Sequence, residues 1–105
     1  MNNITAFQLK QRLDAGESVK VIDIREPWEL KIAQLDFAQH IPMGQILGRL
    51  NEIPHDTPVV IMCHIGGRST QVTNYLNGIG YDNVLNLDGG IMGWALAVDP
   101  NLRRY

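Results

Sequence analysis

The stretch Pro58-Val-Val-Ile-Met-Cys-His-Ile-Gly-Gly-Arg-Ser69 decides the fold. It runs from an apolar segment through the only cysteine of the chain, Cys63, into a glycine-rich turn, after which apolar residues recur at helical spacing. Val59 to Met62 has no polar face and is too short for a helix, so it reads as a strand covered on both sides, the kind found in parallel sheets. A strand that ends in a thiol and hands over to a helix aims backbone N–H groups and the positive end of the helix dipole at the sulfur. Both favour thiolate over thiol, as does an arginine five positions on, Arg68. Across proteins at large a lone cysteine is more often a small buried hydrophobe. A core cysteine, however, needs neither Gly66-Gly67 nor Arg68 beside it, whereas an anion-holding loop benefits from both.

The neighbouring segments alternate in the same way. Thr5-Ala-Phe-Gln8 has capping-box form, and Ala6, Leu9 and Leu13 share one face until Gly16, which predicts a first helix. Val19 to Ile24 is rich in β-branched residues and predicts a buried strand. Pro27 suits the first turn of a short helix reaching about Lys31. Gln39-His-Ile41 predicts a short strand, and Ile46, Leu47, Leu50 and Ile53 fall at helical spacing before Pro54 and Pro58. Ser69 is expected to N-cap a helix carrying Val72, Leu76 and Ile79, which Gly78 and Gly80 end. Asn83 to Leu87 predicts a strand, and Gly89-Gly90 turns into a last helix, Ile91 to about Val98, with a polar tail beyond. Strands separated by helices imply an α/β fold with a mostly parallel central sheet flanked by helices on both faces. The ligand site of such a sheet lies beyond the carboxyl ends of its strands, where Cys63 stands.

Length and charge bound the function. A chain of 105 residues suits one domain, residues 1–105, and can bury roughly two-thirds of its unfolded surface. A net charge of −2 with no basic run offers no footprint for nucleic acid or an anionic membrane surface, so neither is expected as a partner. One cysteine cannot form an internal disulfide, and Met1-Asn-Asn-Ile-Thr5 lacks the basic and apolar regions of a secretory signal. The expected home is a reducing cytoplasm, where an accessible thiol persists.

Four segments in order, Asp23-Ile-Arg25, His40-Ile-Pro42, Cys63-His-Ile-Gly-Gly-Arg-Ser69 and Leu87-Asp-Gly-Gly-Ile-Met-Gly-Trp94, resemble the motifs of rhodanese-like domains across essentially the whole chain. Each is weak alone; in register, with the right element between each pair, they are specific. The ending, Trp94 to Tyr105, also resembles the close of rhodanese domains fused to enzymes that adenylate small sulfur-carrier proteins. Gln39 stands where many members have glycine, and Met43 follows Pro42 where a Gly-Ala pair is usual. The resemblance implies a sulfurtransferase in which Cys63 takes a sulfane sulfur from a donor such as thiosulfate, becomes a persulfide, and passes the outer sulfur to a thiol, cyanide or protein acceptor. No cofactor and no metal are implied.

The residues make sense of that step. Attack on a sulfur–sulfur bond needs a thiolate, and the persulfide formed is an anion that needs donors around its terminal atom. Backbone N–H groups of His64, Ile65, Gly66, Gly67, Arg68 and Ser69, curled around Cys63, are expected to supply them as a nest. Gly66 and Gly67 permit backbone angles a Cβ would resist, and Arg68 is expected to hold an incoming oxyanion. Related phosphatases and arsenate reductases carry five residues between Cys and Arg, in a wider cradle; this chain has four, a ring better suited to one sulfur atom. Two alternatives stay open: a phosphatase or arsenate reductase on the same fold, and a regulatory or binding module without turnover.

Other candidates have plainer readings. His64 is given a supporting role, since an unperturbed imidazole is mostly neutral at pH 7. His40 and His55 show no ligand-like spacing with Cys63 and His64, which argues against a metal site. Asp23 and Arg25 are expected to form a structural pair pinning a strand end, with Glu29 one helical turn beyond Arg25 as a further partner. Trp28 and Trp94 are candidates for the mouth of the site, with apolar packing as the default.

Overall fold

The Thr5 hydroxyl accepts the Gln8 N–H at 3.1 Å and the Gln8 side chain accepts the Thr5 N–H at 3.0 Å. This reciprocal cap satisfies two donors that a helix start leaves open and launches α1, Ala6–Asp14, in a computed structural model that describes residues 2–105. Ahead of it lies a two-residue strand, β1, Asn3–Ile4, too short for any sequence period to reveal. The following elements are β2, Lys20–Asp23; α2, Pro27–Ile32; and β3, Ala38–His40. Two 3₁₀ turns, Met43–Gln45 and Leu47–Glu52, lead to β4, Val59–Met62. Then come α3, Gly67–Gly78; β5, Val84–Leu87; and α4, Gly90–Ala97.

The five strands form one sheet in the order β1-β5-β4-β2-β3, and every pairing is parallel. Strand residues alternate between two apolar layers. Ile22, Val59, Ile61, Cys63 and Val84 pack with Val72 and Leu76 of α3 and with Ile46 and Ile53. Val21, Val60, Met62 and Leu87 pack with Ala6 and Leu9 of α1 and with Ile91 and Trp94 of α4. This is the α/β sheet with helices on both faces that the alternating segments predict.

Two local expectations are corrected. The helical spacing from Ile46 to Ile53 does not make an α-helix: Arg49 leaves helical geometry (φ −129°, ψ 26°) between 3₁₀ turns, in a segment weakened by Gly44 and Gly48. Ser69 is not the cap of α3. That position belongs to Gly66, at φ +117°, and Ser69 lies fully buried inside the first turn.

The topology sets the site. From β2 the chain proceeds to β3 on one side, and from β4 it proceeds to β5 on the other. The carboxyl ends of β2 and β4 therefore flank the switch point, where a parallel sheet opens a crevice. Asp23 to Arg25 leave one side of it and Cys63 leaves the other.

Candidate active site

Cys63 follows the last residue of the central strand β4, and its sulfur turns into the loop. Sγ accepts the N–H of Gly66 at 3.1 Å and of Ser69 at 3.4 Å, and lies 3.2 Å from the Ser69 hydroxyl. Six N–H groups were expected around the sulfur; two donate to it, and those of His64, Ile65, Gly67 and Arg68 make no hydrogen bond to it. The left-handed Gly66 brings its own N–H onto Sγ. Gly67 is already helical and has open space where a Cβ would stand, so of the pair only Gly66 uses the conformational freedom of glycine. Cys63 is 1% exposed. The sulfur is thus covered and also contributes to the apolar layer on the α3 side, while its polar contacts all come from the loop.

Ser69 ties the loop to β5. Its hydroxyl donates to Asn86 Oδ1 at 2.5 Å, with the Gly66 carbonyl at 3.2 Å as a second acceptor. The Asn86 amide in turn donates to Asn3 Oδ1 at 3.1 Å. Asn86 is buried, and in a strand otherwise of Val and Leu it was the available clue to this contact. α4 grips the other side: the N–H groups of Ile91 and Met92 donate to the carbonyls of Cys63 and His64 at 2.9 and 3.1 Å.

Arg68 is not a free anion receptor. Its Nη1 and Nη2 donate to the two oxygens of Glu29 at 2.7 and 2.8 Å, a bidentate fork that uses two of the five N–H groups of a guanidinium. Glu29 also accepts the Glu26 N–H and the Tyr105 hydroxyl, each at 2.9 Å. The hydrogen bonds from Arg68 hold the buried Glu29 carboxyl down at about 2 against the opposing effect of burial. Glu29 in turn pushes Arg68 further up. Asp23 and Arg25 form the buried pair expected of them, Nη2 to Oδ2 at 2.7 Å, with Arg25 0% exposed. Burial alone would lower Arg25, but its bonds to Asp23 and Tyr105 leave it raised. Glu29 meets Arg25 only through its backbone carbonyl, at 3.4 Å; its carboxylate serves Arg68.

Tyr105, at the end of the polar tail beyond α4, lies inside the site. Its ring stacks on His64 with centroids 3.9 Å apart, and its hydroxyl accepts from Arg25 Nη1 at 2.8 Å. His64 Nε2–H donates to the main-chain oxygen of Tyr105 at 2.9 Å. Trp28, 60% exposed, stands edge-on to the same ring at 6.2 Å. Trp94 is buried against Phe37 on the opposite layer and takes no part in the mouth. Among the described residues no group of three or more His, Cys, Asp or Glu is placed to hold a metal ion, and no helix is long and apolar enough to cross a membrane.

The chain matches the rhodanese-like domain family over residues 5–97. It is 45% identical over 95 residues to a sulfurtransferase of Allochromatium vinosum, covering 90% of this chain and 89% of that protein. It is 39% identical over 77 residues to the thiosulfate sulfurtransferase GlpE of Tolumonas auensis, 73% of each. A rhodanese-like domain protein from Staphylococcus aureus superimposes with a TM-score of 0.85 at 31% identity, covering 100% of this chain and 99% of that one.

Proposed function

The chain belongs to the rhodanese-like domain family, and from that premise we propose that it is a single-domain sulfurtransferase working through a persulfide on Cys63, with thiosulfate or a similar sulfane compound as donor. A sulfur-transfer role in general follows from its relatives. The observation that carries the mechanism is the Cys63 sulfur receiving N–H bonds from Gly66 and Ser69 inside a loop with four residues between Cys63 and Arg68. Donors fixed in the backbone stabilise negative charge without reorganising when it forms or moves.

The Cys63 thiolate attacks the outer sulfur of thiosulfate; the Cys63 S–S bond forms, the S–S bond of thiosulfate breaks, and sulfite leaves with the electron pair. An acceptor such as cyanide or a thiolate then attacks the terminal sulfur and regenerates the Cys63 thiolate. The sulfur is covered, and Ile65, which is 66% exposed, and Arg68, paired with Glu29, belong to the loop that a donor has to pass to reach it. A reducing compartment such as the cytoplasm suits an unpaired thiol of this kind.

Intact-mass measurement tests the proposal. Thiosulfate is expected to add one sulfur atom, about 32 Da, to the protein, removable by cyanide and absent in Cys63→Ser. Absence of the adduct with every sulfane donor tried ends the reading, and phosphate release from an aryl phosphate that depends on Cys63 replaces it with a phosphatase.

A further inference from the structure

The segment beyond α4 returns across the site and places Tyr105 where two separate ion pairs meet. Its phenol accepts from Arg25 Nη1 at 2.8 Å and donates to Glu29 Oε1 at 2.9 Å. The Asp23–Arg25 pair is thereby joined to the Glu29–Arg68 pair through one hydroxyl. Glu29 Oε1 carries the Arg68 Nη2 and the phenol, while Oε2 carries the Arg68 Nη1 and the Glu26 N–H. All four acceptor directions of the carboxylate are occupied, so Glu29 can present Arg68 in one orientation only while the phenol is present. The same residue covers His64 with its ring and takes the His64 Nε2–H on its main-chain oxygen.

We propose that Tyr105 is a positioning residue for anionic sulfur donors: through Glu29 it aims the Arg68 guanidinium at the loop mouth, and its ring on His64 closes one wall of the entrance. The inference deepens the sulfurtransferase reading and rests on it for the identity of the substrate. Its physical content does not require turnover. Without the hydroxyl, one oxygen of Glu29 loses a donor and Arg25 loses an acceptor, so the carboxylate can swing and the half-exposed Arg68 can follow it. A cation that wanders attracts an anion less than one held in place, whereas a neutral reagent approaching the same sulfur is indifferent to the change.

Two measurements on the full chain test it, in Tyr105→Phe and in Tyr105→Trp, both of which keep an aromatic ring for His64. The first is the ratio of the Cys63 alkylation rates with iodoacetate, an anion, and iodoacetamide, its neutral counterpart. The ratio is expected to fall about threefold or more in both variants, with the iodoacetamide rate within about twofold of the parent. The second is steady-state sulfur transfer from thiosulfate, in which KM is expected to rise about three- to tenfold with kcat little changed. A ratio and a KM equal to those of the parent in the variant that melts as the parent does would overturn the positioning role. So would equal losses with both alkylating reagents, which mark a merely structural part. A parent chain that forms no persulfide, with a ratio that still falls in the variants, refutes sulfur transfer while upholding Tyr105 as the residue that aims Arg68.

Discussion

The Glu29 carboxylate takes four hydrogen bonds, two from Arg68 and one each from the Glu26 N–H and the Tyr105 hydroxyl. Its carboxyl is buried, yet it stays charged because Arg68, the Glu26 N–H and the Tyr105 hydroxyl together outweigh the cost of removing it from water. Its value drops from 4.5 to about 2. A folded-state value below the unfolded one means that folding gains from the ionised form. That gain is complete above the unfolded value and disappears as the pH falls through about 2. The full shift corresponds to about 3 kcal/mol, but water reaches Arg68, whose side chain is 35% exposed, so the net is about 1–2 kcal/mol. In urea unfolding series, Glu29→Gln is expected to be less stable than the parent by that amount at pH 6, and the gap is expected to narrow steadily below pH 4.5. A gap that stayed constant down to the lowest pH would show that the charge on Glu29 contributes nothing.

At the scale of elements, the loop is held between two helix starts. The Gly66 cap and the first turn of α3 supply the N–H groups at the sulfur, and α4 supplies those that bind the Cys63 and His64 carbonyls. The second grip requires the backbone of α4 to come very close. Gly90 sits at φ +59°, and a Cβ there would meet the Cys63 carbonyl oxygen at 2.6 Å and the His64 carbonyl oxygen closer still. Both contacts are backbone atoms that cannot rotate away. Gly90→Ala is therefore expected to cost about 2–4 kcal/mol, from left-handed strain and overpacking together, and to depress sulfur transfer beyond what the lost stability explains, because the displaced atoms belong to Cys63 itself. Gly78→Ala, at an ordinary φ with open space around it, is the matched control and is expected to unfold no earlier than the parent. Equal melting temperatures for the two variants would contradict the close approach.

On the scale of the whole molecule, Arg25 fastens distant parts of the chain. It binds Asp23 at the end of β2, the Ala33 carbonyl beyond α2 at 2.8 Å, and Tyr105. Arg25→Met leaves Asp23 buried without its cation, an arrangement that costs about 3–5 kcal/mol, a large part of the 5–15 kcal/mol by which domains of this size are stable. Asp23→Leu combined with Arg25→Met is expected to recover part of the loss, since no unpaired charge then remains; a single variant within about 1 kcal/mol of the parent would show that the pair is not stabilising in this way. The elements of this fold, the Thr5 cap, the Pro27 helix start, the Val59 to Met62 strand and the strand-to-helix loop after Cys63 were legible in the sequence, because each depends on neighbours within a few positions. The segment after Pro42 was misread because apolar spacing alone does not reveal glycines undoing a helix. Glu29 meets Arg68 across 39 positions, Asn86 meets Ser69 across 17, and Tyr105 meets Glu29 across 76. Local chemistry determined which elements form and where the thiol stands; only the folded sheet, by bringing the ends of β2, β4 and β5 to one edge, decided which charges meet around it, since such contacts follow from distance in space and leave no periodic mark along the chain.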